Sequence, residues 1–424
     1  MLQHMKTNRG RYQNDESKQE KKAAKRQYTS YEDVPLEDYR DEDPMPNNLT
    51  KRFLKMFFIL FLAVVAVMAV LNLEKLTPDN IVHWFQYDLL GKTDGDGYPT
   101  NFSGSLVSDG NFDLISGVPV YCSDTTITVL NKNAGTYQEH QHSYASPTLS
   151  VNAGCGIVYN TNATGYTVFK RDSIVYSGAV KQKIFAADIA ANGTYAILTK
   201  GEDYLAKLVV YRSDNLEKFK YSFADYYMNT VSVNKDGTRA ILSGVSARNG
   251  GLISVIYILD FSQDNFLQRY EMDDTFIYDV KFLDNGNAYA IGTDRLVYID
   301  IKEGSKNDIS YGNRYLSAYA FHRSQGVSLV LSSNPDGRAC DLLSFNASGE
   351  KDCDIATGEK VTSLGMRDND RAILSDGKIT VYDRDGTVKG TIKTDSDARK
   401  LVYCDKNTFY VLGKSRISRL TLET

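Results

Sequence analysis

The residues able to carry chemistry are few and scattered. Beyond residue 74 the chain offers His83, His140, His142 and His322 as bases and Cys122, Cys155, Cys340, Cys353 and Cys404 as thiols. A serine triad needs an exposed nucleophile beside a histidine, and no GxSxG elbow is present. His140 and His142, in QEHQHSY, fall on one face of a strand and could share a metal. No carboxylate is placed to complete such a site, so a solvated outer strand is favoured. His322 opens a turn and reads as a turn residue rather than a base. No CxxC spacing or Cys/His cluster supports structural zinc. Five cysteines leave at least one unpaired in a monomer. Cys340 and Cys353 flank the turn at 346–349 at nearly matched distances, so a disulfide across one hairpin is sterically allowed in an oxidising compartment; buried thiols are the alternative. Asp94 and Asp96, in TDGDGY, have part of a calcium-loop rhythm but lack the downstream carboxylate, which favours a flexible turn. Asp225, Asp273 and Asp274 stand where they could face an axial channel. Catalytic residues, metal and cofactor are therefore all expected to be absent.

The elements that position these residues repeat. AANGTYAIL (190–198), NKDGTRAIL (234–242), LDNGNAYAI (283–291), RDNDRAIL (367–374) and CDKNTFYVL (404–412) each join a tight turn to a short apolar strand. Weaker copies are ISGVPVY (115–121), VNAGCGIVY (151–159) and HRSQGVSLVL (322–331). Asn, Asp and Gly adopt positive φ cheaply, and a short unbroken apolar run is buried on both faces. A third strand, a second hairpin turn and a polar fourth strand follow, as in KITVYDRDG and TVKGTIKT (378–394). Four antiparallel strands recurring at about 40 residues is the period of propeller blades. The expected fold is all-β: a propeller of eight four-stranded blades over 102–424, seven being the alternative. The last unit has three strands before the chain stops, so FSGSLV (102–107) is expected to supply the fourth and close the ring.

In this frame tyrosine becomes the remaining binding signal. Tyr226, Tyr227, Tyr278, Tyr311, Tyr315 and Tyr319 lie in or near links between blades. A phenol pairs a stacking surface with a hydroxyl, which suits a glycan or peptide; packing between blades is the alternative. Tyr227, Tyr278 and Tyr319 are the expected ligand contacts.

The segment before the repeats sets the compartment. Met56 to Leu71 reads MFFILFLAVVAVMAVL, and 53–73 is long enough to cross a bilayer as a helix. Lys51, Arg52 and Lys55 precede it, so the positive-inside bias places the N-terminus in the cytoplasm and the propeller outside. An uncleaved single-pass anchor is favoured over a cleaved signal peptide. Residues 1–50 are polar without apolar periodicity and are expected to form a disordered cytoplasmic tail. Residues 74–101 read as an extracytoplasmic lead-in. A net charge of -4 gives no footprint for nucleic acid.

The turn-plus-strand motif resembles the repeats of bacterial TolB-like and YVTN/WD40-like propellers over roughly 102–424. The chain also looks like a member of an uncharacterised family of membrane-anchored, propeller-like proteins of Gram-positive bacteria, with YASPTLSVNAGCGIVY (144–159) carrying that likeness. It departs from the pattern in lacking a WD dipeptide, and Trp84 lies outside the repeats, which argues against a quinone cofactor. The expected function is non-catalytic binding or scaffolding of an envelope protein or glycan. The alternatives are an envelope hydrolase or lactonase-like enzyme using loop carboxylates, and a transmembrane sensor.

Overall fold

A computed structural model describes residues 55–60 and 95–423. Residues 55–60 are α-helical. The rest of the expected span, and the tail at 1–50, lie outside the described residues; among those described, no helix is long and apolar enough to cross a membrane. The chain divides into two compact units, Met1–Leu89 and Leu90–Thr424. The second is an eight-bladed β-propeller, every blade a four-stranded antiparallel sheet.

The innermost strands of blades 1 to 8 are Val107–Ile115, Pro147–Asn152, Ile184–Ile189, Tyr227–Val233, Ile277–Phe282, Tyr315–His322, Ser363–Arg367 and Lys400–Asp405. Four antiparallel strands return the chain to the side it left, so all eight run in the same direction around one axis. We call the face where they begin the top and the face where they end the bottom. Each second strand follows a bottom-face turn, as the repeat predicts. Gly193 and Gly237 hold φ of 82° and 63° in two of these turns, where a side chain would be strained. The second strands are apolar because neighbouring blades cover both of their faces; Gly326–Ser332, in blade 6, is buried throughout.

The ring is closed. Eight apolar clusters join the eight pairs of neighbouring blades, and one of them unites Phe102, Phe112 and Tyr121 of the first with Tyr410, Leu412 and Ile417 of the last. The closing strand lies a few residues before its expected place. Thr100–Asn101 pairs with Arg416 and Ile417, and 103–106 is a link rather than a strand. There Ser105 is clipped to Asp124 through its backbone N–H (2.9 Å) and its hydroxyl (2.5 Å), which turns the chain into blade 1. The TDGDGY segment also differs from expectation. Gly95 lies against the 133–135 turn, where any Cβ would collide with its backbone, and the Tyr98 hydroxyl donates to the Asn131 carbonyl at 2.9 Å. The described part of that loop is a docked clasp on the bottom face of blade 1.

Candidate functional site

Three innermost strands carry an aspartate amid apolar residues: Asp113, Asp188 and Asp279. Near the bottom of the channel Asp188 accepts hydrogen bonds from Ser150 Oγ (2.6 Å) and the Val233 N–H (2.7 Å). Arg323 Nη2 lies 3.5 Å from it and Lys281 Nζ 3.8 Å. Arg323 also donates through Nη1 to the Val233 carbonyl at 3.1 Å. This lock ties together five blades, 2 to 6. Burial works to raise the Asp188 pKa, but Lys281, Arg323 and the two hydrogen bonds outweigh it and hold the carboxyl below its ordinary value.

The top end is open. A recess of about 390 Å³ lies between the starts of innermost strands from blades 1, 5, 6, 7 and 8, lined by Asp109, Tyr278, Ser317, Tyr319, Thr362, Arg399 and Lys400 among others. Tyr278 and Tyr319 meet at 6.0 Å between ring centroids, and Phe276 stacks on Tyr278 at 6.5 Å. The Tyr319 hydroxyl donates to Asp279 at 3.0 Å. Burial, then the Asp279 charge, pushes both phenols upward, so they remain hydroxyls at neutral pH. Burial likewise raises Asp279, against the pull of Lys281. Arg399 is fully engaged, donating to Asp109 and to the carbonyls of Val107 and Gly413, which fastens blade 8 to blade 1 at the rim.

Of the three expected tyrosines, Tyr278 and Tyr319 come together in this recess and Tyr227 does not. Tyr227 begins the innermost strand of blade 4, is 61 % exposed, and is absent from the lining. Tyr226 is core, its hydroxyl donating to Glu271 at 2.7 Å. Tyr311 is 1 % exposed, and its hydroxyl has no hydrogen-bond partner among the described residues. Asp225 and Asp274 are exposed on links between blades, and Asp273 is exposed at the end of the outermost strand of blade 4, not in the channel. The channel carboxylates were missed because they were sought in loops. An aspartate breaking an apolar run, as in FDLI, ADI and YDV, was the available signal.

The remaining candidates dissolve on inspection of their geometry. His142 Nδ1 accepts the Tyr144 N–H at 3.1 Å, which puts the imidazole proton on Nε2, 3.3 Å from Cys122 Sγ. Burial pushes the Cys122 thiol up to about 12 and lowers His142. Both partners are held neutral, the reverse of an activated thiolate pair. Among the described residues no three His, Cys, Asp or Glu side chains converge on a metal position. His322 ends the innermost strand of blade 6 with Nδ1 3.1 Å from Ser324 Oγ. Cys340 and Cys353 share one hairpin, but the register sets Cys353 opposite Ser344, and both thiols are free. Four positions along a strand is about 13 Å, far outside disulfide reach. Cys340 stands farther from the turn than Cys353 does, and the bulge between Ser344 and Phe345 widens the offset by one more residue.

Residues 96–422 match the model of a family described as "Family of unknown function (DUF5711)". No curated protein matches the chain. Among solved structures, the C-terminal WD40 domain of Sif2 superposes with a TM-score of 0.54 at 10% identity, covering 78% of this chain and 100% of that one. BamB from Moraxella catarrhalis does so with a TM-score of 0.47 at 12% identity, over 76% of this chain and 100% of that one. At these identities the likeness concerns the fold alone.

Proposed function

The chain belongs to that family of unknown function, and we propose that it is a non-catalytic binding module whose ligand docks in the top-face recess. The reading includes a single-pass anchor at 53–73 that leaves the N-terminus cytoplasmic and displays the propeller outside, where an envelope protein or glycan is the partner. The apolar run with its preceding cations supports that topology. One observation carries the binding site: the same ring of strands is locked by matched charges at its bottom and left open at its top, with two half-buried tyrosines in the opening. Concave recesses with convergent polar groups are where ligands bind.

Capture of partners by the full-length chain from cell envelopes tests the site. The Tyr278→Ala, Tyr319→Ala double variant should lose the partner, while Tyr227→Ala keeps it. Retention by the double variant, with its fold intact by melting, would move the site elsewhere. Protease applied to intact spheroplasts tests the topology: propeller loops should be cut while 1–50 is protected, and digestion of the tail would reverse the orientation.

A further inference from the structure

The hydrogen-bonding groups of the recess are unbalanced. Its acceptors each have a donor: Asp109 Oδ1 is met by Arg399, Asp279 Oδ2 at its floor by Tyr319, and Ser363 Oγ by the Leu401 N–H at 3.0 Å. Two donors are not. Lys400, half-buried at the start of the blade 8 innermost strand, has no ion pair or hydrogen bond from its ammonium among the described residues. The Tyr278 hydroxyl has none either. Asp113 lies deeper in the channel and feels the charge of Lys400, but it is not paired with it and already accepts the Leu114 N–H at 2.7 Å. The buried Tyr311 hydroxyl, close enough to influence Tyr278 and Tyr319, adds a second unmatched phenol. Ser317 and Thr362 on the rim can donate or accept, so they leave the imbalance as it is.

Resting on the recess as the binding site, we infer that its occupant presents a carboxylate, held by the Lys400 ammonium and the Tyr278 hydroxyl, and that this carboxylate belongs to an acidic peptide segment of a protein partner. A carboxylate is acceptor-only and supplies what the recess lacks. The surroundings favour a peptide over a sugar acid. Leu106, 59 % exposed, and the exposed Leu252 stand on the top face together with Tyr227 and Tyr315. The two exposed leucines offer aliphatic contact that suits a protein surface rather than a sugar acid, while Tyr227 and Tyr315 suit either.

The test is fluorescence anisotropy on the full-length chain with a fluorescein-labelled hexapeptide of Glu and Gly. A Gln-for-Glu version with an amidated C-terminus and a glucuronate disaccharide serve as comparisons. The Glu probe should bind, and the Gln probe should bind at least tenfold more weakly. Lys400→Ala should weaken the Glu probe by roughly tenfold to a hundredfold, the range of one hydrogen bond to a charged group. Lys400→Arg should restore most of that loss, and Tyr278→Phe should cost a few-fold. Unchanged melting of each variant shows that the loss is local. Equal binding of the two peptides, indifference to Lys400→Ala, or binding of the glucuronate alone would overturn the inference. If Lys400→Ala still captures the envelope partner while the Tyr278, Tyr319 double variant does not, the recess stands as the site and the carboxylate is wrong.

Discussion

At the bottom of the axial channel Asp188, Arg323 and Lys281 satisfy one another and two backbone groups across five blades. At the top, Lys400 and Tyr278 are left facing a recess. The two ends are built from the same strands. A polar group withdrawn from water costs stability unless it is paired, so joining Asp188 to two cations and two hydrogen-bond donors at one end rigidifies the ring. That rigidity is what allows groups at the other end to remain unmatched and in register for a ligand. The contrast separates the two roles a buried polar residue can have.

Removing Asp188 should break the comparison most severely. Asp188→Ala leaves two cations without their anion, and loss of one partner from a buried pair costs about 3–5 kcal/mol. Lys281 and Arg323 keep some contact with water, so the lower end is expected, read from urea unfolding. Asp188→Asn, which can still accept from Ser150 or Val233, should cost less.

Acid should weaken the bottom end selectively. The Asp188 carboxyl is held below its unfolded value, so its contribution is complete above about pH 4 and is lost as pH falls through the folded pKa. Asp279 has the opposite sign. Raised by burial, it favours the folded state on the acid side, and that advantage disappears as pH rises from the unfolded carboxyl value through its own. Urea midpoints followed from about pH 3 to 7 should show a shallower acid limb in Asp188→Asn, the remainder belonging to other lowered carboxyls such as Glu271, Asp260 and Glu359. In Asp279→Asn the acid limb should remain.

Tyr319 is fastened to the floor of the recess, and its replacement should have an intermediate effect. Tyr319→Phe deletes the hydrogen bond to Asp279 and should cost about 1 kcal/mol, because the ring remains and only one pairing is lost. The smallest effect belongs to the open end. Lys400→Ala should change the unfolding free energy by less than about 0.5 kcal/mol, because this half-buried side chain has no hydrogen bond or ion pair to strand. A large loss there would show that Lys400 is structural and remove the distinction between the ends.

Much of this fold was legible because its main signal is local. A strand covered on both faces must be apolar along its whole length, and the turn before it must tolerate positive φ, so the eight second strands announce themselves. The closing strand was placed a few residues late because Thr100–Asn101 is too short to show any period. Half of the site was legible for a related reason. Tyr278 and Tyr319 stand on innermost strands, close to the links where tyrosines were expected, but the same rule admitted Tyr227, which does not line the recess. The lock was invisible because its partners are distant in sequence, Arg323 and Asp188 being 135 residues apart. No local pattern encodes a pairing made by ring closure.

Site-specific photo-crosslinking in cells tests most directly whether the partner enters at the top of the channel. A benzophenone amino acid in place of Ser317 would sit in the recess, and one in place of Ser324 would sit exposed at the bottom face. A discrete cross-linked adduct is expected from position 317 and none from 324. An adduct from 324 with none from 317 would contradict entry at the top.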